Sequence, residues 1–175
     1  MLKSFAAKLS DIHTHNPDAP ANAVINLDRN GTMRHDRLYS VGWHPWWGEP
    51  DMEWVEQTAA DPRVVMIGEC GIDKLRSPLP IGRQLEITRS HALLAERLGK
   101  PLLLHIVGAW NEIIALRRSL KPAQPWIIHG FRGKPELARQ LVNAGFYLSL
   151  GKKFNPLVPD VIPPERIFRE TDDNF

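Results

Sequence analysis

The feature that most constrains this chain is its alternation of short apolar runs with polar, helix-patterned stretches. Arg63–Glu69 is rich in β-branched residues and is typical of a strand, whereas Pro80–Gly99 has apolar residues at helical spacing. Repeated alternation of this kind indicates a parallel sheet covered by helices. The predicted strands are Ser10–His15, Ala23–Leu27, Tyr39–His44, Arg63–Glu69, Pro101–Val107, Pro125–His129, Phe146–Leu150 and Arg166–Asp172.

Eight strands suggest a compact α/β fold of the TIM-like (β/α) barrel type, whose active site lies at the carboxyl ends of the strands. The predicted helices are Asp51–Ala60, Pro80–Gly99, Ala109–Leu120 and Lys134–Ala144. The chain has 175 residues, whereas such barrels usually have about 250. The segment from His15 to Ala23 is too short for a helix, and no helical pattern follows Asp172. We therefore predict a single barrel domain over residues 1–175 with missing or shortened outer helices and a truncated C-terminus.

Composition excludes several classes of protein. Hydrophobic residues make up 43% and charged residues 24% of the chain, which is typical of a globular protein. No apolar run approaches the roughly 18 residues of a membrane span, and no signal peptide is evident. The single cysteine, Cys70, cannot form an internal disulfide. We expect a cytoplasmic protein with neither a membrane nor an obligate protein partner, and its net charge of +2 permits a nucleic-acid substrate without arguing for one.

The first candidate site lies at the end of the first predicted strand. Because side chains alternate along a strand, Asp11, His13 and His15 share one face. Two imidazoles that converge in this way form half of a transition-metal site, and Asp11 can orient one of them. Taken alone, this motif is equally consistent with two surface histidines that bind no metal.

Residue types that bind metals also end later apolar runs. Glu69, His105, His129 and Asp172 each follow several residues that we expect to be buried. A barrel gathers the carboxyl ends of its strands around one mouth. Any one of these residues is more often structural than a ligand, but the ordered set favours a metal centre. The predicted ligands are His13, His15, Glu69, His105, His129 and Asp172.

This donor set exceeds the roughly three protein ligands that one catalytic metal needs. We expect one or two divalent ions, with zinc, magnesium and manganese as the candidates. Glu69 is best placed to bridge two ions, and Asp172 can take the proton of an attacking water. The predicted chemistry is hydrolysis, especially of phosphate esters, with Glu69 and Asp172 as the catalytic residues.

Two further residues are candidates for substrate binding near the same mouth. His44 ends a strand within the stretch GWHPWW, and Arg132 follows the predicted ligand His129. Both can contact a phosphate group, whereas a packed histidine and a solvated loop are the alternatives. The neighbouring tryptophans can either stack on a base or pack in the core; they are Trp43, Trp46 and Trp47.

Other polar residues have weaker claims to a functional role. Glu170 shares strand parity with Asp172 and is predicted to be a supporting acid. Cys70 is out of phase with the predicted ligand beside it, so we expect it to pack against the helix layer. His35 and His91 lack a supporting context and are predicted to be surface residues.

The motifs occur in a fixed order that covers most of the chain. They are DIHTH (Asp11–His15), VGWHPWW (Val41–Trp47), IGECGID (Ile67–Asp73), KPLLLHIVGAW (Lys100–Trp110), the segment Ile127–Gly151 and ETDD (Glu170–Asp173). In this order they resemble the TatD family of metal-dependent deoxyribonucleases, within the amidohydrolase-like barrels. The resemblance implies phosphodiester hydrolysis in DNA, often from an end. It also implies that His13, His15 and Asp172 bind one ion, that His105 and His129 bind another, and that Glu69 bridges them.

The sequence also departs from that family. Lys74 follows Asp73 where an aromatic residue is common, and the family's helices after the ETD motif are absent. The expected substrate is DNA or another phosphodiester. Two alternatives remain open: a hydrolase of another ester or amide on the same metal site, and a non-catalytic metal-binding remnant that acts as an interaction module.

Overall fold

The computed structural model describes residues 9–172, which form a nearly closed barrel of eight parallel strands. Each strand pairs with the next along the chain, in the order β1 to β8. The predicted TIM-like barrel is therefore confirmed, whereas the single-domain assignment for residues 1–175 stays a prediction. The strands are β1 (Asp11–Thr14), β2 (Ala23–Asn26), β3 (Leu38–Val41), β4 (Val64–Asp73), β5 (Leu102–Val107), β6 (Trp126–Ile128), β7 (Tyr147–Leu150) and β8 (Ile167–Arg169).

The outer layer is incomplete, as the short connections predict. The helices are α1 (Met52–Ala59), α2 (Ile81–Leu98), α3 (Trp110–Leu120) and α4 (Pro135–Asn143), close to their predicted bounds. Between residues 9 and 172, no α-helix follows β1, β2 or β7, although a short 3-10 turn, Pro164–Arg166, precedes β8. The predicted C-terminal truncation concerns residues outside the described range. None of the described helices combines the length and the apolar character needed to cross a membrane.

Local sequence signals explain where the helices begin and end. Asp51 precedes α1, and its Oδ1 accepts a hydrogen bond from the Trp54 amide at 3.0 Å, so it caps the free amides of the first turn. α2 ends at Gly99, which adopts φ 65°, a left-handed conformation that glycine tolerates best. These caps set the lengths of the connections that bring the strand ends together.

Two apolar cores flank the sheet. The barrel interior is filled by one residue from each of several strands: Ile12, Val24, Met66, Leu103, Ile127 and Phe168. A larger cluster lies between the strands and the helices and includes Cys70, as predicted. His105 and His129 stand two residues beyond the interior residues Leu103 and Ile127. Because side chains on one face recur every second residue, both imidazoles point into the barrel above its core.

One surface prediction is wrong. His91, expected at the surface, is fully buried in α2, whereas His35 is exposed as predicted. The Nδ1 of His91 donates to the Ile87 carbonyl at 2.8 Å, and its Nε2 accepts from the Trp43 amide at 2.9 Å. Neutral imidazole has one donor and one acceptor, so it can satisfy two buried backbone groups that hydrophobic patterning does not reveal.

Candidate metal centre

Glu69, near the middle of β4, lies at the centre of the barrel mouth and is only 3% exposed. Its Oε1 is 2.9 Å from the Nδ1 of His105 and 2.7 Å from the Nε2 of His129. Its Oε2 is 3.5 Å from the Nε2 atoms of both His13 and His15. The two oxygens of one carboxylate thus face two different pairs of histidines.

Asp172 completes the side of the site that holds His13 and His15. Its Oδ1 is 3.5 Å from the Nε2 of His13 and 3.9 Å from the Nε2 of His15. All the predicted ligands are therefore brought together at one mouth. Whether they bind a metal stays a prediction.

The chemistry of these donors fits a divalent cation. Both ring nitrogens of His13 are buried, and neither has a hydrogen-bond partner among residues 9–172. Separations of 3.5 Å from its Nε2 to two carboxylate oxygens are long for hydrogen bonds. Ligand atoms that each lie about 2.1 Å from a shared ion are separated by about 3.0–3.5 Å. The ligand atoms of His13, His15 and Asp172 all lie within 4.8 Å of one another.

The electrostatics of the site also favour a cation. Burial acts to raise the pKa of Glu69, but the positive charge of His129 and hydrogen bonds from His105 and His129 hold it well below its usual value. Burial acts to lower the pKa of His129, but the charges of Glu69 and Glu170 and the close contact with Glu69 raise it well above its usual value. A cation in the site would compete with a proton on His129, because a metal ligand must be a neutral imidazole.

A cavity of about 480 Å³ opens above this cluster. Its size is that of a pocket for a small molecule or for one unit of a polymer. The lining includes His15, Asn26, His44, Trp46, Arg76, Arg132 and Asp172. The predicted ligands are therefore reachable from solvent through a mouth that carries both aromatic and cationic groups.

Comparison with known families gives this arrangement a context. Residues 11–174 match the model of the family described as TatD related DNase. The chain belongs to the TatD family.

Individual TatD relatives support the assignment. The metal-dependent hydrolase YabD of Bacillus subtilis is 32% identical over 173 residues, which cover 87% of this chain and 68% of YabD. The 3'-5' ssDNA/RNA exonuclease TatD of Edwardsiella piscicida is 32% identical over 136 residues, which cover 68% of this chain and 52% of that protein. The chain spans about half the length of several other curated relatives that it matches.

Solved TatD-family structures share the fold. The TatD homologue YjjV of Escherichia coli K12 aligns with a TM-score of 0.76 at 18% identity, over 96% of this chain and 80% of YjjV. A TatD-family hydrolase of Entamoeba histolytica aligns with a TM-score of 0.74 at 19% identity, over 94% of this chain and 73% of that one. At such low identity, these likenesses support the barrel alone.

Two residues that contact the predicted ligands were not themselves predicted to be part of the site. Asp73 Oδ2 lies 3.0 Å from the Nε2 of His105 and accepts a hydrogen bond from the Trp46 indole at 2.7 Å. Asn26 Oδ1 accepts from the Glu69 amide at 3.0 Å. Asn26 is the one polar residue of the predicted strand Ala23–Leu27, which is the signal that could have identified it. Asp73 was missed because β4 continues beyond Glu69, where the predicted strand ends.

Gly71 explains how β4 can come so close to β5, which carries the predicted ligand His105. Its φ is 142°, a conformation that glycine adopts far more readily than other residues. A Cβ added at this position would lie 2.1 Å from the carbonyl oxygen of His105. Any larger residue would therefore displace β5 and, with it, the imidazole that faces Glu69.

Asp11 has a different role from the one predicted. Its Oδ1 accepts from the His13 and Thr171 amides, each at 3.1 Å, and its Oδ2 accepts from the Thr171 hydroxyl at 2.6 Å. The Asp172 amide also donates to the His13 carbonyl at 3.1 Å. Asp11 therefore holds the backbone of β1 against the end of β8, where the barrel closes, instead of orienting an imidazole ring.

Glu170 lies where a supporting acid was predicted. It is buried, its Oε1 accepts from the Gly130 amide at 2.6 Å, and the same oxygen is 3.8 Å from the Nδ1 of His129. It therefore stands behind His129, on the side of the ring away from Glu69. β8 ends at Arg169, so Glu170 and Asp172 follow the strand instead of ending it.

The two predicted substrate-binding residues lie at different depths. His44 is buried, with its Nε2 3.1 Å from Glu69 Oε1, and its Nδ1 accepts from the Trp46 amide at 3.2 Å. Because Nδ1 is an acceptor, Nε2 carries the proton of the neutral ring. Burial lowers the pKa of His44, despite the opposing effect of Glu69. Arg132 is exposed on the rim of the cavity.

Proposed function

We propose that this TatD-family protein is a metal-dependent hydrolase that cleaves phosphodiester bonds in nucleic acid. The observation that carries the proposal is the shared carboxylate of Glu69, whose two oxygens face separate histidine pairs. A carboxylate between two sets of nitrogen ligands is typical of two-metal hydrolases that act on phosphate esters. Relatives named as a metal-dependent hydrolase and as a single-stranded DNA and RNA exonuclease support the same activity.

Each carboxylate oxygen of Glu69 would bind one ion. His13, His15 and Asp172 would hold the first ion together with Oε2, and His105 and His129 would hold the second together with Oε1. Ions in such a site lower the pKa of water and stabilise negative charge on phosphate oxygens. Imidazole ligands suit zinc, whereas carboxylate ligands also suit manganese and magnesium.

Asp172 is the proposed proton acceptor. Burial acts to raise its pKa, but the close approach of His13 and the positive charge of His129 lower it below its ordinary value. The carboxylate is therefore ionised at neutral pH and can accept a proton. Asp172 also lines the cavity, so a water beside the substrate can reach it.

His44 and Arg132 are the proposed contacts to the phosphate group. The proton on the His44 Nε2, directed into the site towards Glu69, can be donated to a phosphate oxygen that enters there. The guanidinium of Arg132 has no ion pair with any residue from 9 to 172, and it lines the same cavity. An unpaired guanidinium has planar donors that match a phosphate group.

The test combines metal content with hydrolysis. Bound zinc, magnesium and manganese are measured by mass spectrometry, and the same preparation is assayed on a single-stranded DNA oligonucleotide and on bis(p-nitrophenyl) phosphate, with and without a chelator. We expect one or two ions per chain and cleavage that the chelator abolishes. Bound metal without cleavage of either substrate would favour an ester or amide hydrolase or a non-catalytic module. A folded protein that binds no metal would refute the site.

A further inference from the structure

A second cavity, of about 560 Å³, adjoins the cavity above the proposed metal centre. It is formed by the loop after β2 and by the tryptophans after β3. Its lining comprises Asp28, Arg29, Asn30, Gly31, Trp43 and Trp47. Asp28 and Trp47 line the first cavity as well, so the two cavities are adjacent.

Trp47 stands at the junction of the two cavities. It is 38% exposed and is the only exposed tryptophan between residues 9 and 172. Its ring packs edge to face against Trp43, with ring centroids 5.4 Å apart and an interplanar angle of 86°. Trp43 is only 4% exposed and therefore holds Trp47 in place. A fixed indole that remains open to solvent is a surface on which a nucleobase can stack.

Arg29 supplies positive charge to the second cavity. Its side chain is 58% exposed, and its guanidinium carbon lies 5.3 Å from the centroid of the Trp43 ring. The Asp51 carboxylate is 3.8 Å away, too far for a direct hydrogen bond. The donors of the guanidinium therefore remain available to a phosphate group.

The one acid that lines both cavities adds a constraint on how a nucleotide would lie. Asp28 lies on the border between the two cavities, so its negative charge disfavours a phosphate at that point. A carboxylate there can accept hydrogen bonds from a sugar hydroxyl or a base amino group. The favourable place for a phosphate in the second cavity is accordingly beside Arg29.

We propose that the second cavity binds the nucleotide next to the scissile phosphate, with its base stacked on Trp47 and its phosphate paired with Arg29. This inference rests on the proposed function and assigns a second binding subsite for its substrate. A base must leave the duplex to present its face to an indole. The second cavity would therefore hold an unpaired nucleotide of a strand that extends beyond the bond being cut.

The first test compares substrates that do and do not reach the second cavity. We measure KM for a single-stranded DNA oligonucleotide and for bis(p-nitrophenyl) phosphate, which has no neighbouring nucleotide. Trp47→Ala should raise the KM for the oligonucleotide about tenfold, at least fivefold more than it raises the KM for the small substrate. Trp47→Phe, which keeps an aromatic face, should recover most of the loss. An equal effect on both substrates would overturn the proposal.

Arg29→Gln separates the phosphate contact from stacking. It should raise the KM for the oligonucleotide about fivefold and reduce the salt dependence of strand binding. The matched control is Arg89→Gln, which removes the same charge from an exposed position on α2 that lines neither cavity. An equal loss with Arg89→Gln would show a general charge effect and would overturn the role of Arg29.

Binding without catalysis keeps the inference distinct from the proposed function. The fluorescence anisotropy of a labelled single strand is measured in EDTA with the unaltered protein, Trp47→Ala and Arg29→Gln, after circular dichroism has shown that each is folded. Weaker strand binding by both variants supports the second cavity even if the unaltered protein hydrolyses neither substrate. Unchanged binding by both variants overturns the inference even if hydrolysis is confirmed.

Discussion

Asp73 holds His105 from the side of the ring opposite Glu69. The Asp73 Oδ2 lies 3.0 Å from the Nε2 of His105, whose Nδ1 is 2.9 Å from Glu69 Oε1. A carboxylate that accepts the proton on Nε2 leaves the lone pair of Nδ1 directed into the metal site. Asp73 itself is fixed, because its Oδ1 accepts from the amides of Leu75 and Arg76.

Asp73→Asn should therefore weaken metal binding by about 10- to 100-fold, because the amide no longer fixes the tautomer of His105. Calorimetric titration of chelator-stripped protein with zinc measures the change. The matched control is Asp61→Asn, which removes a carboxylate that pairs with Arg63 just before β4, away from the mouth. Zinc affinity that is equal in Asp73→Asn and in the control would contradict the role of Asp73.

Glu69→Gln should abolish hydrolysis of both substrates while leaving the circular dichroism spectrum unchanged. The amide lacks the charge that a bridging ligand supplies to two ions, so metal content should fall as well. Glu112→Gln is a suitable control. Glu112 lies on α3, pairs with Lys74 and does not line the cavity. Full activity in Glu69→Gln would show that its carboxylate is not a bridge.

Much of the fold could be predicted because its signals are local. The spacing of apolar residues located α2, and Asp51 and Gly99 marked the ends of two helices. The exact end of β8 could not be predicted. The strand ends at Arg169, and the next residues bond to β1 through Asp11, a contact that the local sequence does not reveal. Closure of a barrel depends on contacts between the two ends of the chain, which local patterns do not encode.

The site was predictable to the extent that its residues end apolar runs. His105 and His129 show that pattern, and both reach Glu69. Asp73 and Asn26 act through hydrogen bonds to residues on other strands, so their roles depend on register. The same limit applies to His91, whose partner Trp43 is distant in the sequence.

Asp11 should stabilise the barrel where β1 meets the residues that follow β8, a contact that we call the barrel seam. Asp11→Ala removes a buried carboxylate that accepts from the Thr171 amide and hydroxyl and from the His13 amide. We expect the free energy of unfolding to fall by about 2–4 kcal/mol, since hydrogen bonds to charged groups are worth about 1.5–3 kcal/mol each and are not additive. Urea unfolding in EDTA measures the change without a contribution from metal.

The matched control for the seam is Thr171→Ser, which keeps the hydroxyl that donates to Asp11 and should cost much less. Asp18→Ala tests a second aspartate, whose carboxylate pairs with Arg34 at the surface, where such pairs contribute little. If Asp11→Ala is no less stable than Asp18→Ala, the bonds between β1 and the end of β8 do not stabilise the barrel.

His91 should make stability depend on pH. Burial lowers its pKa to about 4, despite the hydrogen bond to the Ile87 carbonyl, whereas histidine in the unfolded chain titrates near 6.5. The unfolded chain therefore takes up a proton at higher pH than the folded protein does. Stability is lost as the pH falls from about 6.5 to about 4, by about 3 kcal/mol in total, and levels off below that range.

The measurement compares urea unfolding of the unaltered protein and of His91→Gln between pH 7 and pH 4. The Gln side chain can accept from the Trp43 amide but does not titrate, so the pH dependence of the other ionisable groups cancels in the difference between the two proteins. The stability advantage of the unaltered protein should shrink by about 3 kcal/mol across this range. A constant difference would show that His91 has the same pKa in the folded and unfolded chains and would contradict the predicted effect of its burial.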